Sequence, residues 1–279
     1  MDIEKLLKQS IDWRVVRYSA NGDFSKVAVR LFAGNSDGIE GLLIEQYGNL
    51  VLVTLYNSKL NIYKDKILQT LNECLSEKSI IIKAREGKDT GKFHYTNNEH
   101  YQIDQILTCH EGDAEYEIHC DPRHDYGLYL DTKAARNHLR EICLDKTVLN
   151  LFSYTCAFGI AAMKGKASSV TNIDPNKEYL DWAQNTADLN NVKFKKYPDT
   201  TQSYLARHIR RLNDQKDLPY DIIVVDPPAF LVGRGSERLA RNLWPEWMDC
   251  LKNSGCKRFI IVINDKSLGR QNDLSDFFK

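Results

Sequence analysis

No stretch of this 279-residue chain approaches the roughly 18 uninterrupted apolar residues of a membrane-spanning helix, which excludes a membrane protein of that kind. The opening Met1-Asp2-Ile3-Glu4-Lys5 has no basic stretch followed by an apolar one, so no secretory signal is expected there. Paired cysteine motifs are missing as well. The seven cysteines occur singly, with no Cys-x-x-Cys spacing and an odd total. That pattern argues against a disulfide scaffold or a zinc site, and predicts reduced thiols, a cytoplasmic protein and no metal. Charge of one sign is not in excess either, since 38 basic and 38 acidic residues cancel. A broadly basic nucleic-acid-binding surface is therefore not expected, and only a local patch can serve that purpose. Gly-x-Gly-x-x-Gly is absent, which speaks against a nicotinamide dehydrogenase. Repeats and low-complexity segments are absent too.

What remains is the composition of a soluble globular protein, 42% hydrophobic and 27% charged, long enough for two domains of ordinary size. Residues 1–110 read as a small α+β domain. A short helix is expected over Ile3–Ile11, a strand over Val27–Phe32, and a hairpin of Gly41–Tyr47 and Leu50–Tyr56 around Gly48-Asn49. A helix over Tyr63–Cys74 and a strand over Ser79–Ala84 follow, and the polar stretch Glu86–His100 reads as the inter-domain connection. Residues 111–279 form the second domain. Glu115–His119 and Tyr126–Leu130 are expected as two strands joined by a loop. Helix and strand then alternate: helix Thr132–Cys143, strand Val148–Phe152, helix Phe158–Gly165, strand Ser169–Ile173, helix Asn176–Asn190. A strand near Val192–Phe194, helix Thr201–Leu212, strand Asp221–Val225, helix Ser236–Leu251 and strand Arg258–Ile263 complete the run. Alternation of this kind predicts an α/β fold with a doubly wound parallel sheet.

Within it, Asp221-Ile222-Ile223-Val224-Val225-Asp226-Pro227-Pro228-Ala229-Phe230 is the most pointed segment. Four β-branched residues make a strand buried on both faces, and the prolines end it abruptly. Asp226 is thereby set at the carboxyl end of a strand, where open α/β sheets bind ligands. Its carboxylate can accept from a planar base on which Phe230 stacks; the plain alternative is a turn with a solvated carboxylate. Two further acids end strands in the same way. Asp174 lies about 20 residues beyond the turn Phe152-Ser153-Tyr154-Thr155-Cys156-Ala157-Phe158-Gly159, at the place of a ribose-binding carboxylate. Asp199 follows the next strand, where it can accept from an adenine amino group. Each Asp taken alone reads first as a helix N-cap; Asp174, Asp199 and Asp226 in register at strand ends are what point to a site.

The segment from Gly127 to Phe230 resembles the catalytic domain of class I S-adenosylmethionine-dependent methyltransferases, and more narrowly the 23S rRNA cytosine-C5 methyltransferase family with its uncharacterised relatives. Gly127-Leu128-Tyr129-Leu130-Asp131 with Arg136, Val148–Thr155, and Asp226-Pro227-Pro228 carry the likeness; Val29–Leu42 resembles the family's preceding small domain. The resemblance implies S-adenosylmethionine as cofactor, a Rossmann-like sheet, and RNA, rRNA above all, as substrate. It implies that Tyr129, Arg136, Phe152, Ser153, Tyr154 and Thr155 lie near the cofactor's methionine part, that Asp174 holds the ribose and that Asp199 holds the adenine. It implies that Asp226 faces the methyl group and orients the target base; beside it, the carbonyl of Pro227 can accept from an amine of the base and Phe230 can stack on its ring, which makes these three the expected catalytic set.

The chain also departs from the family. Cys156 and Ala157 stand where two glycines are usual, Thr132-Lys133 replaces Gln-Arg, and Ala229 replaces a lysine. Asp265 stands where the catalytic cysteine is expected, and a carboxylate is a poor nucleophile toward a pyrimidine ring. Cys156 and Cys256 read as small buried fillers rather than relocated thiolates. The terminal β-hairpin of the sheet is expected to be lacking, leaving an edge for a partner or a second copy of the chain to cover. The leading expectation is a methyltransferase acting on an RNA base without that cysteine; the alternative is a degenerate relative that binds nucleoside or RNA, or serves in assembly.

Overall fold

The computed structural model describes residues 2–19, 23–75, 78–86, 93–96, 105–120, 125–228, 230–233, 236–239 and 243–263. The chain forms two compact units, Met1–Leu130 and Asp131–Lys279. Among the described residues no helix is long and apolar enough to cross a membrane.

In the first unit, helix α1 (Ile3–Ser19) precedes strands β1 (Ala28–Ala33), β2 (Leu42–Tyr47) and β3 (Leu50–Leu55). Helix α2 (Lys64–Cys74), β4 (Ser79–Ala84) and β5 (Phe93–Thr96) follow. The strands form one sheet in the order β1-β2-β3-β4-β5, parallel only between β3 and β4, which α2 connects. Alternate residues such as Leu31, Ile44, Val53 and Ile82 share a core with Leu7 and Ile11 of α1 and Ile67 and Leu71 of α2. Helix α1 runs eight residues beyond the predicted Ile11 because no glycine or proline interrupts it before Gly22. Its second half is exposed at Trp13 and Val16, so the apolar period that marks a buried face stops while the helix continues.

Two expectations for this unit are corrected. The polar stretch Glu86–His100, predicted to connect the domains, holds β5, whose Phe93 pairs with Lys83 and Thr96 with Ile80. Strand β7 (Ala114–His119) does not pair with Tyr126–Leu130, which forms no strand; its antiparallel partner is β6 (Ile106–Glu111). The two-residue turn Gly112-Asp113 decides this, because Gly112 takes φ +64° at no steric cost and closes the hairpin locally. The unit thereby extends past residue 110 and includes this hairpin, which the sequence assigns to the second domain.

The second unit alternates α3 (Lys133–Ile142), β8 (Thr147–Leu151), α4 (Ala157–Lys164), β9 (Ser169–Asp174), α5 (Lys177–Leu189) and β10 (Lys195–Pro198). It continues with α6 (Thr201–Asn213), β11 (Ile222–Val225), β12 (Phe230–Gly233), β13 (Ser236–Leu239), α7 (Trp244–Lys252) and β14 (Phe259–Ile261). Strands β10-β9-β8-β11-β14 form a parallel sheet in that order, so the chain winds outward from β8, then returns to lay β11 on its other side. Leu149, Leu151, Ile173, Ile223 and Val225 face Leu205 of α6 and Trp247 and Leu251 of α7. Val148, Val170, Ile222 and Val224 face Leu139 of α3 and Phe158 and Ala162 of α4. Every residue of β11 is buried, as its unbroken apolar run requires. Burial of each such side chain is worth about 1.5–3 kcal/mol.

The helix predicted over Ser236–Leu251 is also corrected. Strand β13 pairs with β12 from Gly233↔Ser236 to Phe230↔Leu239, and the helix begins only at Trp244. Pro245 sits in its first turn, the position where a missing N–H costs nothing. The expected loss of a terminal hairpin falls on residues 264–279, outside the described residues.

Candidate cofactor and substrate site

Parallel register brings the predicted residues into one row. Leu151 of β8 pairs with Ile173 of β9 and with Val225 of β11, and Pro198 of β10 pairs with Asp174. Phe152, Asp174 and Asp226 are therefore the residues that end, or directly follow, three adjacent strands, and Asp199 follows the fourth. With strands about 4.8 Å apart, the row spans about 15 Å. It crosses the point between β8 and β11 where the winding reverses, the place where open α/β sheets carry a crevice.

The loop from Phe152 to Cys156 has an unusual backbone. Phe152, Tyr154 and Cys156 take φ of +55°, +48° and +61°, a region that costs residues with a Cβ about 1–3 kcal/mol each. Alternation of this sort turns successive N–H groups inward, and here those of Ser153, Tyr154 and Cys156 are taken up within the fold. The loop is pinned on both flanks: Ser153 N–H donates to Ile173 O at 2.9 Å, and Cys156 N–H donates to Ser153 O at 2.7 Å. Ser153, Thr155 and Cys156 are buried, whereas Phe152 and Tyr154 remain half-buried. The Phe152 ring lies 4.9 Å from that of Trp247, and Tyr154 packs edge-on to Tyr179 at 4.5 Å. Cys156 occupies the N-cap position of α4 without a side-chain hydrogen bond, so no side chain caps the first turn of that helix. A helix start in this condition favours an anionic group.

Gly159, the loop's single glycine, is explained by close packing. A Cβ built there would lie 2.9 Å from Asn172 Nδ2 and nearer still to its Oδ1. Asn172 is itself held on β9 by Asn150, whose Nδ2 donates to Asn172 Oδ1 at 2.9 Å. Such an approach of helix to strand is what the last glycine of a nucleotide-binding turn provides.

Asp174 is 8% exposed and accepts from Tyr154 N–H (2.8 Å) and Asn176 N–H (2.9 Å), one on each oxygen. Burial raises its carboxyl above the ordinary aspartate range, and the two backbone donors only partly offset this. It does not cap α5: Asn176 does, accepting from Glu178 N–H. Likewise Thr200, not Asp199, caps α6. Two acids at strand ends are thus spared the commonest structural duty of such residues. Asp199 accepts from Thr200 N–H at 2.8 Å and forms an ion pair with Arg207.

Arg136 is 1% exposed; its guanidinium donates to Thr132 Oγ1 at 2.5 Å and lies 6.0 Å from the ring centre of Phe158. That contact sets a buried positive charge beside the first turn of α4. Tyr129 belongs to the first unit, where its hydroxyl donates to Asp125 at 2.6 Å. Asp226 is half-buried, Pro227 buried and Pro228 exposed. Phe230 opens β12, and its side chain lies outside the described residues, as do Ala229 and Asp265. Cys156 is fully buried with its thiol pushed up to about 12, and Cys256, raised likewise by burial, donates to Arg258 O at the start of β14. Neither is a thiolate poised for attack.

Sequence reasoning missed the loop's left-handed backbone, because nothing marks a left-handed cysteine, and the Trp247 wall, because the helix carrying it was begun too early.

A family model described as S-adenosylmethionine-dependent methyltransferase matches residues 95–275. The ribosomal RNA large subunit methyltransferase I of Klebsiella pneumoniae (strain 342) is 27% identical over 234 residues, covering 82% of this chain and 56% of that protein. Its namesake in Vibrio parahaemolyticus is 30% identical over 210 residues, covering 72% and 51%. The chain thus spans about half the length of these relatives. Among solved structures, a methyltransferase complexed with SAH superposes with a TM-score of 0.83 at 23% identity, covering 98% of this chain and 70% of the other. A SAM-dependent methyltransferase from Agrobacterium tumefaciens gives 0.66 at 18% identity, covering 93% and 80%. With the family model spanning most of a chain whose parallel sheet has the same fold as these structures, the protein belongs to the S-adenosylmethionine-dependent methyltransferase family.

Proposed function

We propose that the chain transfers a methyl group from S-adenosylmethionine to a base in RNA. The carrying observation is the row Asp226, Phe152, Asp174 and Asp199 across four neighbouring strand ends. The residues fit the cofactor. Asp174 has a lone pair left on each oxygen for a ribose diol, and the uncapped start of α4 with Arg136 beside it suits the carboxylate of the methionine part. Phe152, Ser153, Tyr154 and Thr155 form the cradle, and Asp199 would take the adenine side. When bound, S-adenosylmethionine supplies a methyl on a sulfonium, already an activated leaving group. The protein's task is then alignment.

The RNA substrate is supported by the names of the curated relatives. Attack by an exocyclic amine, rather than by a ring carbon activated through a thiolate, suits this chain best. Cys156 and Cys256 are buried with raised thiol pKa, and Asp265 occupies the position where the resemblance expects the cysteine. Asp226 would accept from the amine, orient its lone pair and take up the proton it sheds, while Pro227 fixes the turn.

Calorimetry with S-adenosylhomocysteine on wild type and on Asp174→Ala tests the cofactor site. Binding is expected in the wild type and loss by at least tenfold in the variant; no binding to wild type would leave the degenerate-scaffold reading standing. Tritiated methyl transfer to total RNA tests the rest. Asp226→Ala should bind S-adenosylhomocysteine normally and transfer nothing, and retained transfer would remove Asp226 from the substrate face.

A further inference from the structure

A second concave site lies beside the open edge of the parallel sheet, between β10 and α6, with a volume of about 670 Å³. Its lining includes none of Asp226, Asp174 or the Phe152–Cys156 loop, so it is separate from the cofactor cradle. Aromatic rings form its wall. Tyr197 lies 5.9 Å from Tyr204, His208 stacks on Tyr204 at 6.4 Å with planes 14° apart, and Tyr220 stands 5.0 Å from His208. A chain of hydroxyls runs along it, Tyr204 to Tyr220 at 2.7 Å and Tyr220 to Thr171 at 3.2 Å.

Its rim is basic, with Lys195, Arg207, Arg210, Arg211 and Lys216 among the lining residues. Asp217 faces Arg211, Asp214 faces Lys216, and Asp199 faces Arg207. Lys195 and Arg210 have no carboxylate partner among the described residues, and both are exposed. One ring of the wall is buried behind the others. His208 is 3% exposed and lines the cavity; its Nδ1 meets Asp217 at 3.3 Å, but its Nε2 has no hydrogen-bond partner. Nε2 is itself buried, so the ring serves as part of the groove's wall.

Flat aromatic faces and two unpaired cations together match a base joined to a phosphate. We propose that this groove binds a nucleotide, with the base against Tyr197 and Tyr204 and the phosphate at Lys195 and Arg210. The nucleotide is either one residue of a single RNA strand or a free mononucleotide. An RNA source rests on the function proposed above; the nucleotide chemistry does not.

The test uses the full chain saturated with S-adenosylhomocysteine, so that the cofactor site is closed to adenosine-like probes. A fluorescein-labelled ten-nucleotide single-stranded RNA is titrated by anisotropy, and uridine monophosphate by calorimetry. Tyr197→Ala should weaken the groove's ligand about tenfold, as expected for one lost stacking contact. Arg210→Glu should weaken it similarly and Arg210→Lys should restore most of the affinity, with S-adenosylhomocysteine affinity unchanged throughout. Sensitivity of the RNA titration assigns the groove to an RNA strand, and sensitivity of uridine monophosphate alone assigns it to a free nucleotide. Binding of neither probe, or binding indifferent to both Tyr197→Ala and Arg210→Glu, overturns the groove. Either result can occur while methyl transfer to RNA persists, so the two proposals fail separately.

Discussion

At the scale of single residues, Asp174 combines burial with two backbone donors and, among the described residues, no paired cation. Its raised pKa means that the folded protein holds the proton more tightly than the unfolded chain does. The stability tied to that proton is fully present below the ordinary aspartate value of about 3.9 and is lost as pH rises through the raised one. In the ribose-binding role proposed for it, two hydroxyls donating to the carboxylate would favour its ionised form and reverse the penalty. S-adenosylhomocysteine affinity should therefore rise with pH across this window and level off above it, and Asp174→Asn should flatten the profile while binding more weakly. Calorimetry over a pH series checks this, and a wild-type profile identical to that of Asp174→Asn would place the titrating group elsewhere. The position of Asp174 was legible from spacing alone: a strand, a turn, and an acid about 20 residues on. Its freedom from capping duty was not, because an Asp and an Asn two residues later compete for the same helix start and only geometry chooses between them.

Elements are placed by contacts that a periodic pattern records only in part. The order of helices and strands from Thr132 to Val225 was readable because β8, β9 and β11 are buried runs and most helices between them have an apolar stripe, whereas the strand expected near Val192–Phe194 is corrected to β10 at Lys195–Pro198, an edge strand too exposed and polar to mark itself. The pattern failed where a turn outweighed it, at Gly112-Asp113, and where the chain between β11 and α7 folds on itself as a local hairpin. The fit of α4 on β9 is finer than any pattern. Gly159→Ala would gain about 1 kcal/mol of helix propensity. Against that, the new Cβ must displace the Asn172 amide, and overpacking costs about 1–3 kcal/mol while a stranded buried amide costs about as much again. Net destabilisation of about 3 kcal/mol is expected in urea titration. In an Asn172→Ala background the obstruction is gone and Gly159→Ala should become neutral or stabilising, a coupling that two independent sites would not show.

For the molecule as a whole, charge balance constrains how the proposed RNA substrate can be held. With equal numbers of acids and bases, there is no broad positive field to gather a phosphate backbone, so attraction must come from local cations. The groove between β10 and α6 supplies a few of them, and its two unpartnered ones bound the effect from below. Binding that neutralises about two to four phosphates of a single strand should give a slope of log affinity against log salt of about −1.4 to −2.8. Arg210→Glu should reduce that slope by about 0.7, and Tyr197→Ala should lower affinity at every salt concentration without changing it. The composition alone excluded a strongly basic binder but could not locate the patch, because Lys195, Arg207, Arg210, Arg211 and Lys216 are spread over 22 positions of sequence and converge only when α6 packs against the sheet edge. Anisotropy titrations between low and physiological salt distinguish the cases. A slope much steeper than −5 would mean that RNA is held by a surface larger than this groove, and the Arg210→Glu slope would then match the wild type.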